Sequence, residues 1–159
     1  MEKYLDYTVN VLEKLLKISS PTGDTNKIIE ILKHTFEDMG LKSKITIKRG
    51  LIVEVEGEIK DKVRVISAHA DTLGAMVRSI TSDGQLKFTL VGGPIVPTLD
   101  GEYCQIKTRD GKLYTGTFLS TSPAVHVFKD ASSKPRDTEN MAIRIDECVK
   151  SKEDVENLG

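Results

Sequence analysis

The feature that most constrains this chain is a change of hydrophobic period at Gly74. Before it, apolar residues recur twice at helical spacing. Leu5, Val9, Leu12 and Leu16 follow at intervals of three and four, which predicts a helix over residues 3–17 with that stripe as its buried face. A second helix is expected from about Asp24 to Met39, with Ile28, Ile31 or Leu32, Phe36 and Met39 inward. From Gly74 to about residue 146 no helical period is found. Short strand-like runs recur instead over residues 75–80, 85–91, 102–108, 112–119 and 141–145. Ser82-Asp83-Gly84 and Arg109-Asp110-Gly111 supply turn chemistry between them, and Gly92-Gly93-Pro94 marks a bend. Repeated short strands predict a small barrel or sandwich, so a domain boundary is placed near Leu73–Met76.

Local signals fill in the connections. Ser19-Ser20-Pro21-Thr22-Gly23 ends the first helix, because proline disfavours helix at the residue before it. Thr22 or Asp24 can cap the second helix, and Gly40 stands where a C′ glycine belongs. Residues 43–49 and 51–56 alternate like two strands turned at Arg49-Gly50. Residues 121–140 form a long polar loop, which is expected to be functional or mobile. Ser151-Lys152-Glu153-Asp154 resembles a capping box opening a short final helix.

The stretch with chemistry in it is Val63–Val77, VRVISAHADTLGAMV. Val63, Val65 and Ile66 read as a buried strand. If the backbone stays extended through Asp71, His69 and Asp71 point to the same face. An imidazole there suits a divalent transition metal, and the carboxylate can either ligate beside it or hold the ring from behind. The plainer reading is a histidine that is only hydrogen-bonded at a strand end. His34, inside the second helix, reads as a surface residue. His126, in the long loop, reads as a structural or interface residue.

Composition narrows the classes. The 159 residues allow one domain or two small ones, and 38% hydrophobic with 30% charged residues describes a globular chain. With 23 basic against 24 acidic residues and no basic block, nucleic acid is not an expected partner. The charged N-terminus has no signal-peptide core, and no run approaches a membrane span, so no membrane partner is expected. Cys104 and Cys148 lack CxxC spacing, which argues against a thiolate zinc site or disulfide framework and for a reducing cytoplasm.

Three segments in order carry a resemblance: the Ser20-Pro21-Thr22-Gly23 turn, SAHADTLGAMV, and the TRDGK-x-Y-x-G hairpin at Thr108–Gly116. Together with the closing IDECVKSKEDVENLG, they resemble the M42 metallo-aminopeptidases of the glutamyl aminopeptidase and cellulase M type. The resemblance implies a zinc-peptidase-like α/β domain, here partial over residues 1–73. It also implies an inserted small β-barrel-like domain for dimerisation and higher assembly over residues 74–159, which leads back toward the other catalytic half. It further implies a di-metal exopeptidase using zinc or cobalt, acting on the N-termini of peptides and forming a homo-oligomer. His69 matches the family's first metal-ligand histidine, and Asp71 matches the aspartate that orients it in the catalytic machinery. The family's bridging Asp, its Glu-Glu pair, a further acidic ligand and a final His have no match here, and no Glu-Glu pair occurs between Met1 and Gly159. The expectation is an N-terminal fragment that does not hydrolyse peptides alone. Two alternatives stand beside it. One is an M20-type metallopeptidase or deacylase fragment, with Leu99-Asp100-Gly101 as the nearest bridging aspartate. The other is a non-catalytic oligomerisation or binding module.

Overall fold

The computed structural model describes residues 4–159, so the expected helix start at residue 3 lies outside the described residues. The fold is mixed α/β, and the chain divides into two compact units, one ending at Gly74 and the other running from Ala75 to Gly159.

In the first unit, α1 spans Leu5–Leu16 and α2 spans Asn26–Asp38. A two-stranded antiparallel sheet of β1 (Lys42–Ile45) and β2 (Leu51–Glu54) follows, with Lys42 opposite Glu54 and Ile45 opposite Leu51. The core is small. Ile18, Ile28 and Ile29 are buried, and Leu15, Leu32, Ile45, Leu51 and Ala70 pack on them.

This packing corrects the expected helix faces. The Leu5, Val9, Leu12 and Leu16 stripe of α1 is exposed. Val11 and Leu15 are the half-buried positions and lead to buried Ile18. These also recur at spacings of four and three, so α1 carries two apolar stripes, and contact with α2 selects the second. In α2, Ile28 and Ile29 are buried while Met39 is exposed, so the face that packs lies toward the start of the helix.

The ends of α2 divide between expectation and correction. Gly40, at φ +78°, donates to Glu37 O, and Leu41 donates to Phe36 O, the paired bonds of a Schellman C-terminus. At the other end the N-cap is Thr25, without a side-chain cap bond, so neither Thr22 nor Asp24 caps the helix. The first hairpin is shorter than alternation suggests. Thr46 N–H donates to Gly50 O, the Gly50 N–H donates to Thr46 Oγ1, and Arg49 sits at φ +62°. The turn therefore takes all of residues 46–50 rather than Arg49-Gly50 alone.

The strand expected over Val63–Ile66 is the largest correction. Residues 63–70 join no ladder, and Val63, Val65 and Ile66 are 83–97% exposed. A strand is stable only when another strand satisfies its backbone donors and acceptors. The strands of this unit, β1 and β2, pair only with each other among the described residues.

The second unit is a five-stranded sheet in the order β3-β4-β7-β6-β5. Its strands are β3 (Gly74–Ile80), β4 (Leu86–Val91), β5 (Tyr103–Lys107), β6 (Leu113–Ser120) and β7 (Met141–Ile145). The β4–β7, β7–β6 and β6–β5 pairs are antiparallel. Gly84 and Gly111 take φ of +82° and +88°, the left-handed conformation their Asp-Gly turns require. Between residues 80 and 120 the helical element among the described residues is one 3-10 turn, Val96–Leu99. The core gathers Leu86, Phe88, Phe118, Met141, Ile143 and Ile145, with Phe88 and Phe118 edge to face at 5.0 Å and 85°. Such a ring pair contributes about 1 kcal/mol beyond area burial.

Helix α3 (Lys152–Glu156) closes the unit. Ser151 Oγ accepts the Asp154 N–H at 3.1 Å, as its capping sequence indicates, and Val155 enters the core. The long loop over residues 121–140 is tied down. Lys134 Nζ donates to the buried Ser122 hydroxyl at 2.7 Å, and Arg136 donates to Asp100 Oδ2 and to the Ala131 carbonyl.

Candidate functional site

The candidate site forms where residues 20–22 meet residues 69–72. Proline at 21 fixes φ and removes a donor, so its neighbours must anchor the turn. Ser20 is fully buried, and its hydroxyl donates to Ala70 O at 3.0 Å. The Thr72 N–H donates to Ser20 O at 3.0 Å, and a short parallel bridge joins Pro21 to Thr72. Gly74 is required beside this bridge, because a Cβ there would stand 2.6 Å from Pro21 Cβ. Local bonding thus fixes the backbone on which His69 and Asp71 sit, in place of the ladder the sequence suggests.

His69 and Asp71 are brought together. His69 Nδ1 lies 3.1 Å from Asp71 Oδ1 and 3.3 Å from the Asp71 carbonyl oxygen. Both partners are acceptors only, so the network assigns the ring proton to Nδ1. The Nε2 lone pair is then free for a ligand, on a ring that is 86% exposed. The other Asp71 oxygen, Oδ2, accepts the Thr22 hydroxyl at 2.6 Å. That hydroxyl, together with the Asp71 backbone and the His69 ring, holds the Asp71 carboxyl below its usual range against a smaller opposing effect of burial. The carboxylate therefore stays anionic, as a partner for an N–H donor must.

The other histidines stand apart from this arrangement. His34 is on the surface of α2, with Nδ1 3.9 Å from Glu37 Oε2. His126 is exposed in the 121–140 loop. Asp100, the bridging candidate of the M20-type reading, is otherwise engaged: Oδ1 accepts the Ser120 N–H and Oδ2 accepts Arg136 Nε, each at 3.0 Å.

An imidazole whose Nδ1–H is held by a carboxylate is a common form of metal-ligating histidine, so His69 and Asp71 fit one arm of such a site. Among the described residues no group of three or more His, Cys, Asp or Glu is gathered to hold an ion. The sequence reading missed Ser20 and Thr22 in this role. Their one signal was a run of small hydroxyl residues around a proline.

Comparison with known proteins supplies the class. In the solved structures, the TET aminopeptidase of a marine-sediment Thaumarchaeota archaeon matches with a TM-score of 0.83, covering 98% of this chain and 42% of that one at 22% identity. The TET1 peptidase of Pyrococcus horikoshii matches at 0.74, with 95% and 43% covered and 28% identity. The mixed α/β fold of this chain thus resembles the matched part of these TET peptidases. The sequence profile of the M42 glutamyl aminopeptidases matches residues 50–159, and the chain belongs to that family. YhfE of Bacillus subtilis strain 168, which carries an aminopeptidase name, is 43% identical over 152 residues, 96% of this chain and 44% of its own length. The lysyl aminopeptidase of Pyrococcus furiosus is 24% identical over 149 residues, covering 82% and 42%. The chain spans less than half the length of these relatives. No helix among the described residues is long and apolar enough to cross a membrane.

Proposed function

We propose that this chain contributes one arm of a di-metal aminopeptidase site that releases N-terminal residues from peptides. Residues 1–73 form part of the catalytic α/β domain, and residues 74–159 form the β-barrel-like domain for assembly. His69 is the metal ligand, through Nε2. Asp71 acts in the catalytic machinery by holding the Nδ1 proton and keeping the ring electron-rich. The observation that carries this reading is His69 Nδ1 facing two acceptors of Asp71, which leaves Nε2 for a cation. Family membership supports the metal and the reaction. The metal pair, zinc or cobalt, would polarise the scissile carbonyl and activate a water.

The chain's own residues provide orientation rather than a complete site. A catalytic zinc takes three protein ligands and a water, and His69 is one. Peptide hydrolysis therefore belongs to a site in which further ligands join His69. The 159-residue chain alone should show no metal-dependent turnover. The test is an aminopeptidase assay on acidic and neutral aminoacyl substrates with added zinc or cobalt. Robust turnover by this chain alone would overturn the one-arm reading. Where a complete enzyme containing this chain is assayed, His69→Ala should abolish activity, and unchanged activity would overturn the ligand assignment.

Self-association is part of the proposal. Leu5, Val9, Leu12 and Leu16 of α1, with Val63, Val65 and Ile66, are exposed apolar side chains, and exposed apolar surface favours association. The Pyrococcus horikoshii TET1 peptidase assembles into a tetrahedron or an octahedral shell. Light scattering should show a homo-oligomer, and a strict monomer at high micromolar concentration would contradict it.

A further inference from the structure

We infer that Thr22 is a positioning residue for the His69–Asp71 pair, an inference that rests on His69 being a metal ligand for its functional meaning. The argument starts from the freedom of an aspartate. The terminal torsion of Asp is broad and roughly two-fold, so a carboxylate on an open surface does not choose a plane by itself. Asp71 is partly exposed and its partner ring more so, so burial does not choose the plane either. Thr22 does. Its hydroxyl reaches Oδ2 at 2.6 Å, and with that oxygen pinned, Oδ1 is the one turned toward His69 Nδ1 at 3.1 Å.

The hydroxyl is itself well held. Threonine is β-branched and stiff at χ1. Thr22 follows Pro21, whose φ is fixed by its ring. The Asp24 N–H closes the turn on Pro21 O at 2.8 Å, and Gly23 takes φ +98° within it. Behind the turn, buried Ser20 is bonded to Ala70 O and to the Thr72 N–H. The same short segment thus fixes both the backbone under Asp71 and the plane of its carboxylate. The bonds run in one direction: Thr22 O–H donates to Oδ2, and His69 Nδ1–H donates to Oδ1, because a carboxylate only accepts. Thr22 therefore acts two hydrogen bonds from the imidazole and, beside the Asp71 carbonyl that also faces Nδ1 at 3.3 Å, helps set which ring nitrogen is left for the metal.

The experiment is ring-nitrogen NMR of His69 in the full 159-residue chain at about pH 8, above the ordinary histidine pKa. The wild-type chain should show the Nδ1–H tautomer. Thr22→Val keeps the shape and removes the donor, and should weaken that signature, with the Asp71 carbonyl left as the second acceptor. Thr22→Ser restores the hydroxyl and should keep it. Thr22→Ala, which deletes the hydroxyl without placing a methyl in its position, is the second variant should the valine disturb the fold. The Ser20 and Thr72 amide signals report that the turn is intact. A Nδ1–H signature unchanged in Thr22→Val and Thr22→Ala overturns the proposal, as does its loss in Thr22→Ser. The ligand reading is tested separately, by the aminopeptidase activity of a complete enzyme containing this chain with and without His69→Ala. If His69→Ala leaves that activity unchanged while Thr22→Val still weakens the tautomer signature, positioning by Thr22 stands and the metal assignment of His69 falls.

Discussion

The hydroxyl of Ser20 donates to the carbonyl oxygen of Ala70 at 3.0 Å, and no part of Ser20 reaches solvent. This bond joins residues fifty positions apart and stands where a sheet ladder would otherwise hold the backbone next to His69. Ser20→Ala removes the donor and leaves a partly buried carbonyl unpaired, which costs about 1 kcal/mol. The readout is hydrogen exchange at the Thr72 amide, whose acceptor is Ser20 O. Exchange should speed up by roughly fivefold, the factor that 1 kcal/mol represents in an opening equilibrium. An unchanged rate would show that the backbone bridge alone holds the segment.

Gly116 sits in β6 where three neighbours converge. A Cβ there would meet Arg144 O at 2.8 Å, Ile106 Cδ1 at 2.8 Å and Ile143 Cγ2 at 3.0 Å. One of the three is backbone in a paired strand and cannot turn aside as a side chain could. Gly116→Ala should destabilise by about 1–3 kcal/mol, as overpacked sites do. For a unit of this size, that lowers Tm by at least ~4 °C. Gly93, with nothing within 4 Å of its added Cβ, is the control, and Gly93→Ala should stay within about 0.5 kcal/mol. Thermal unfolding followed by circular dichroism separates the two, and equal midpoints would contradict the steric account.

The two thiols should differ in reactivity. Burial, with the Asp146 carboxylate nearby, pushes the Cys104 thiol up to about 11, while Cys148 is exposed. Only the thiolate is nucleophilic. A folded-state pKa raised above the unfolded value of 9.0 gives a stability contribution that is complete below that value. It declines as pH rises and is gone above about 11. Alkylation with iodoacetamide at neutral pH, mapped by peptide mass spectrometry, should label Cys148 first and Cys104 only at high pH or on unfolding. Equal rates at neutral pH would show Cys104 to be more open than its packing indicates.

The sequence by itself determined the elements whose stability is local. The two long helices lie where their periodicity places them, because an apolar stripe at helical spacing is visible in the chain. The second-half strands fall within about one residue of the alternating runs. Ser151 caps α3 and Gly40 closes α2 through bonds made within a few residues. His69 and Asp71 were legible as a pair because they stand two residues apart, and their side chains do meet, although no strand forms there.

Tertiary structure decided what depends on a distant partner. Periodicity offered α1 two apolar stripes, and only tertiary packing drew Leu15 and Ile18 into the core with Ile28 and Ile29, leaving Leu5, Val9, Leu12 and Leu16 exposed. An apolar run announced a strand at Val63–Ile66, but a strand needs a neighbour to bond with, and residues 63–70 have none beside them among the described residues. Thr22 carried the signal of a helix cap. Folding placed it 2.6 Å from a carboxylate forty-nine residues away, a contact that short-range spacing cannot encode.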